Sequence, residues 1–187
     1  SAVAITSATG VQNSTLNAGD VVSVTVTMSE AVTVTGTPQL TLNVGGTNRI
    51  AAYASGSGLS ALVFTYAIQA GDSDSNGIAI AVNSLANAAG STITDAAGNA
   101  ATLGHSAVAD NGGYKVDTTA PTVSAVAITS ATGVQNSTLN AGDVVSVTVT
   151  MSEAVTVTGT PKLALNVRSE EHTSELQSRF GISYAVF

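Results

Sequence analysis

The residues best placed to do chemistry lie in one stretch, Gly71-Asp72-Ser73-Asp74-Ser75-Asn76-Gly77-Ile78. Side-chain oxygens at alternate positions, then a glycine for a tight turn, match the first half of a calcium loop of D-x-D-x-N-G type. Asp72, Asp74 and Asn76 would supply side-chain oxygens, and Ile78 its backbone carbonyl. Ca²⁺ takes about six to eight oxygens, so this set is incomplete alone. An EF-hand would place a bidentate Glu at the twelfth loop position, which here is Asn83. The stretch is therefore no EF-hand, and no flanking helices are expected. The same residue types also make an ordinary polar turn. Both readings stay open at this level.

Other constellations are weaker. His105 is the one histidine before the C-terminal tail, and it reads as a solvated loop residue near Asp110. A Ser-His-Asp set can be named in any chain this rich in Ser, and no nucleophile motif supports one. No enzyme is expected. Thr25, Thr27, Thr33 and Thr35 form rows that strand alternation explains. Tyr53 could belong to a sugar-binding face, although lone aromatics usually pack. A net charge of −7 argues against nucleic acid, which needs clustered Lys and Arg, and suits cations better.

The elements that must position these residues read as strands. Val22, Val24, Val26 and Met28 alternate with Ser23, Thr25 and Thr27. Before them Val3 and Ile5 open a strand. After them Ser29-Glu30 is expected to turn into a third strand over residues 32–44, kinked at Gly36-Thr37-Pro38. Gly45-Gly46 turns again and residues 49–54 pair back. Leu62, Phe64, Tyr66 and Ile68 supply the bulkiest core stripe, and Ile78, Ile80 and Val82 predict a sixth strand. An irregular stretch over 84–112 follows, and Tyr114-Lys115-Val116 closes the domain. About seven short strands with no helical period indicate an all-β, Greek-key immunoglobulin-like sandwich. That topology gathers the Asp20 turn, the Asp72 loop and Asp117 at one end, and Glu30 with the Asp95 turn at the other.

Residues 1–44 recur as 124–167, with only two differences in 44 positions, Gln39→Lys162 and Thr41→Ala164. Both fall on the polar side of Gln39-Leu40-Thr41-Leu42-Asn43-Val44, and the apolar positions are untouched. Near-identity over this length signals tandem repeats of a whole domain. Residues 1–120 read as a complete repeat and 121–167 as the N-terminal part of a second. Stacked in line, Asp20, Asp72, Asp74 and Asp117 of one repeat approach Glu153 of the next, and such converging carboxylates repel unless a cation lies between them. The expected cofactor is Ca²⁺, stiffening the junction. Charged residues make up only 9% of the chain and cysteines are absent, so disulfides cannot brace it.

The phrases VDTTAPTV, VTVTMSEAVTVTGTPQLTLNVGG, YAIQAGDSDSNGIAI and ITDAAGNAA resemble the bacterial immunoglobulin-like repeats of large surface adhesins. The resemblance spans residues 1–167. It implies an extracellular extender module of biofilm-associated proteins, often exported by type I secretion and rigidified by calcium. Met28 departs from it, since many members carry an aromatic there. The implied partners are neighbouring repeats of the same chain, with glycans or host surfaces met through other domains. The alternatives are a repeat that itself binds glycan or host surface, and an accessory domain of a secreted enzyme. No run of about 18 apolar residues offers a transmembrane helix, and the chain reads as a piece of a longer protein. After Val167 the match ends. RSEEHTSELQS and ISYAVF, within residues 168–187, resemble the translation of a common sequencing-library adapter, so this tail is expected to be non-native.

Overall fold

The computed structural model describes residues 1–88 and 90–167. The chain forms two compact units, Ser1–Thr119 and a second beginning at Ala120. No helix occurs among the described residues. The tail set apart by its sequence lies outside them.

The first unit contains β1 (Ala2–Ala8), β2 (Thr15–Leu16), β3 (Val21–Thr35), β4 (Gln39–Val44), β5 (Thr47–Ser55), β6 (Leu59–Ala67), β7 (Ser73–Asp74), β8 (Leu85–Ala86), β9 (Thr92–Thr94) and β10 (Lys115–Asp117). The main sheet runs β1-β3-β6-β5-β4-β8, with β9 pairing to the far end of β3. A smaller sheet runs β2-β10-β7, in which β2 and β10 are parallel. The result is a curled, sandwich-like all-β fold.

Period-2 alternation builds the core. Val22, Val24 and Val26 on β3, Leu62 and Phe64 on β6, and Leu40 and Leu42 on β4 are fully buried. Leu16, Ile78, Ile80, Ile93 and Val116 close over them from the short strands and loops. Each such side chain contributes roughly 1.5–3 kcal/mol of transfer free energy, which offsets the scarcity of large aromatics.

Two expectations, one turn and one strand, are corrected. Ser29-Glu30 is no turn: β3 runs unbroken for 15 residues, and an irregularity between Thr27 and Val32 absorbs the change of partner. Beyond it Val32 meets Leu59 of β6, and Val34 meets Ile93 of β9. Residues 78–82 are no regular strand either. Ile78 and Ile80 are buried, but isolated bridges from Ala79 to Asn43 and from Ile80 to Val108 replace a ladder, and Val82 is exposed. The apolar spacing was real, yet the segment meets β4 only at Asn43 and does not pair as a ladder until β8. The hairpin at Gly45-Gly46 forms as expected, with Val44 opposite Thr47.

Among its described residues the second unit contains β11 (Val123–Ala131) and β12 (Val145–Met151), an antiparallel pair. Its register repeats that of β1 and β3: Val126 faces Val149 as Val3 faces Val26, and Ile128 faces Val147 as Ile5 faces Val24.

Candidate functional site

The chain between β6 and β7 is anchored before it reaches the acidic loop. Ile68 donates its N–H to the Asp20 carbonyl at 2.8 Å, and Gly19 donates to the Ile68 carbonyl at 2.8 Å. Asp72 then closes a turn onto the Gln69 carbonyl at 3.0 Å. Asp117 pairs with Ser73 through β10 and β7. Backbone pairing thus draws the Asp20 turn, the Asp72 loop and Asp117 to one end of the unit.

The side chains of that loop turn inward. Asp72 and Asp74 are each only 3% exposed. Asp72 Oδ1 forms an ion pair with the Arg49 guanidinium and accepts from Arg49 Nε at 2.7 Å. Its Oδ2 accepts from the Tyr66 hydroxyl at 2.5 Å and from the Gln69 N–H at 2.9 Å. Burial by itself pushes the Asp72 carboxyl up, but the Tyr66, Gln69 and Arg49 hydrogen bonds and the Arg49 charge outweigh it and hold the group below the ordinary carboxylate value. Tyr66 moves the opposite way: burial, then its bond to Asp72, pushes its phenol up to about 12.

Asp74 organises the next turn. Its Oδ1 accepts from Gly77 N–H at 2.8 Å and Asn76 N–H at 3.3 Å, and its Oδ2 accepts from Gly45 N–H at 2.7 Å. Asn76 donates through Nδ2 to Asp110 at 2.5 Å. The Ile78 carbonyl accepts from Asn111 N–H at 3.2 Å. Gly77 and Gly45 are required by position: both have positive φ, and a Cβ would strike the Asn111 and Ser73 carbonyl oxygens respectively. The D-x-D-x-N-G spacing is therefore satisfied by a self-capping turn.

Tested as calcium ligands, these residues do not fit. The Asp72, Asp74 and Ile78 oxygens already face N–H or O–H donors, and a guanidinium sits against Asp72, whereas Ca²⁺ needs about six to eight oxygens directed at it. Asp20 and Asp117, both partly buried, also cap backbone, at Asn17 N–H (2.7 Å) and Thr119 N–H (2.9 Å). Glu153 is exposed in the second unit. Among the described residues, no group of three or more His, Asp or Glu side chains is arranged to hold a metal ion.

Sequence reasoning missed Arg49 and the second role of Tyr66. Arg49 shares a strand face with Ala51 and Tyr53, and only the structure shows that this face, rather than that of Ile50, turns inward. His105 is a correction. It is 6% exposed, not solvated. Its Nε2 accepts from Ser84 N–H at 2.9 Å and Leu85 N–H at 3.3 Å, so Nδ1 carries the proton it donates to the Ser106 carbonyl at 2.8 Å. Both ring nitrogens thus hold the irregular stretch in place. Tyr53 also packs, edge-on to Phe64 with centroids 5.8 Å apart, and its hydroxyl accepts from Ser57 N–H at 2.7 Å.

At the opposite end, Glu30, Asp95, Asn99, Met28 and Gly104 line a cleft of about 280 Å³. Asn99 and neighbouring backbone N–H groups hold the Asp95 carboxyl below its usual value. No helix among the described residues is long and apolar enough to cross a membrane. Comparison of the chain with protein families, curated proteins and solved structures gives no match.

Proposed function

We propose that this chain is an extender segment of a large, repetitive, extracellular bacterial adhesin, in which each repeat is an immunoglobulin-like Greek-key sandwich. The observation that carries this reading is the near-identity of residues 1–44 and 124–167, with the same strand register built from each. Identical modules in series suit a role in which length matters more than individual recognition. The inward use of Asp72, Asp74, His105 and Tyr53 supports the same reading, because the side chains most able to meet a ligand or substrate are engaged inside the unit. In this reading the chain is no enzyme, and its first partners are neighbouring repeats.

Solution scattering on chains with one, two and four full repeats tests the spacer. The maximum dimension should grow linearly with repeat number, and a glycan array should stay blank. Saturable binding of a single repeat to a glycan would replace the spacer by a recognition module.

A further inference from the structure

We infer that the Asp72–Gly77 loop is a metal-independent clamp, with Arg49 as its built-in cation, that fixes the backbone of Asp117 and Thr118 where the first unit ends. The loop has two faces. Inward, Asp72 ties β5 through Arg49 to β6 through Tyr66. Outward, the Thr118 hydroxyl accepts from Gly71 N–H at 2.9 Å and donates to the Asp72 carbonyl at 2.9 Å. One residue earlier, Asp117 pairs with Ser73. The carboxylate that orders the loop and the hydroxyl that catches the departing chain thus act on the same residue, Asp72, from opposite sides.

Arg49 suits this work. Its planar fork reaches one carboxylate oxygen through two nitrogens. A cation supplied by the chain is present at every calcium concentration. Asp74 completes the device by fixing Gly45, at the β4–β5 hairpin, to the same turn. The inference rests on the spacer reading only for its purpose, the direction in which the chain leaves. Its geometry lies wholly within the first unit.

Amide spectra and thermal melts of the whole chain, in calcium chloride and in chelator, test it. The Gly71, Asp72, Asp74 and Gly77 amide resonances should not move with calcium. Arg49→Gln should lower the first unit's midpoint by roughly 5 °C or more in either condition. Thr118→Val should leave the midpoint nearly unchanged while speeding hydrogen exchange at Gly71, a readout that keeps the test alive if Arg49→Gln does not fold. A calcium-dependent rise in midpoint that persists in Asp72→Asn, with the loop amides unmoved, places the ion elsewhere and supports the clamp. Calcium-shifted loop amides, or a rise in midpoint abolished by Asp74→Asn, would overturn it. Repeats that fail to extend linearly while the loop ignores calcium would sink the spacer alone.

Discussion

Residues 1–44 and 124–167 are nearly the same sequence in two surroundings, and they do not form the same structure. The local features agree. Asn13 and Ser14 take the same left-handed turn as Asn136 and Ser137, with φ of 49° and 63° against 49° and 62°. Asp20 caps Asn17 as Asp143 caps Asn140, each at 2.7 Å. The long-range features differ. Leu16 and Leu42 are fully buried, but Leu139 and Leu165 are 40% and 42% exposed. β3 continues to Thr35, whereas β12 stops at Met151. The difference lies in partners: β6 and β9 flank β3, and the sequence holds one copy of the residues that form them. Turns and the first hairpin-like pairing are written locally, but a strand extends only as far as a neighbour accepts its hydrogen bonds.

The sharpest way to break this comparison is to remove the partner that only the first copy has. Phe64→Ala should destabilise the first unit by about 3–5 kcal/mol, as measured by denaturant unfolding, and leave the exchange rates of β11 and β12 amides unchanged. A change in both would mean that the two units do not fold independently.

Equivalent truncations should then separate the two copies. Leu42→Ala is expected to cost about 2–5 kcal/mol. Leu165→Ala should cost no more than about 0.5 kcal/mol, as exposed substitutions do. Equal costs would show that the second copy buries this residue in solution.

A pH series distinguishes the units next, because Asp72 and Tyr66 have no counterparts in the second. The folded-state pKa of Asp72 is depressed, so its contribution is present above its unfolded value of about 3.9 and is lost as pH falls through the folded one. Tyr66 is raised, so its contribution holds below about 10 and is lost as pH climbs towards about 12. The first unit's melting midpoint should therefore drop at both extremes. Asp72→Asn should flatten the acid limb, and an unchanged acid limb would mean that Asp72 does not carry it.

The smallest effect is expected from the natural differences between the copies. Gln39 is exposed and Thr41 only partly buried, both beside the buried Leu40 and Leu42. Gln39→Lys with Thr41→Ala in the first unit should shift stability by no more than about 0.5 kcal/mol in a chemical melt. A larger loss would mean that this side of β4 packs against something.

The candidate site shows how far sequence pattern reaches. Alternation marked the β3, β4 and β6 core faces correctly, because period 2 is a property of each strand by itself. It overreached at Ser29-Glu30 and at residues 78–82, where bulges and bridges depend on which strands lie alongside. The D-x-D-x-N-G spacing signalled a tight, oxygen-rich turn. It could not say whether a metal or the protein's own donors would face those oxygens.

What the chain's order of residues determined by itself is a two-faced strand pattern, the turns at Asn13-Ser14 and Gly45-Gly46, and the near-duplication of 44 positions. What only the tertiary structure decided is the company each group keeps: Arg49 and Tyr66 on Asp72, backbone N–H groups on Asp74, backbone donors on His105. Contacts such as Arg49 to Asp72 span 23 positions, and burial makes them obligatory, since an inward carboxylate or imidazole must find its donors within the fold.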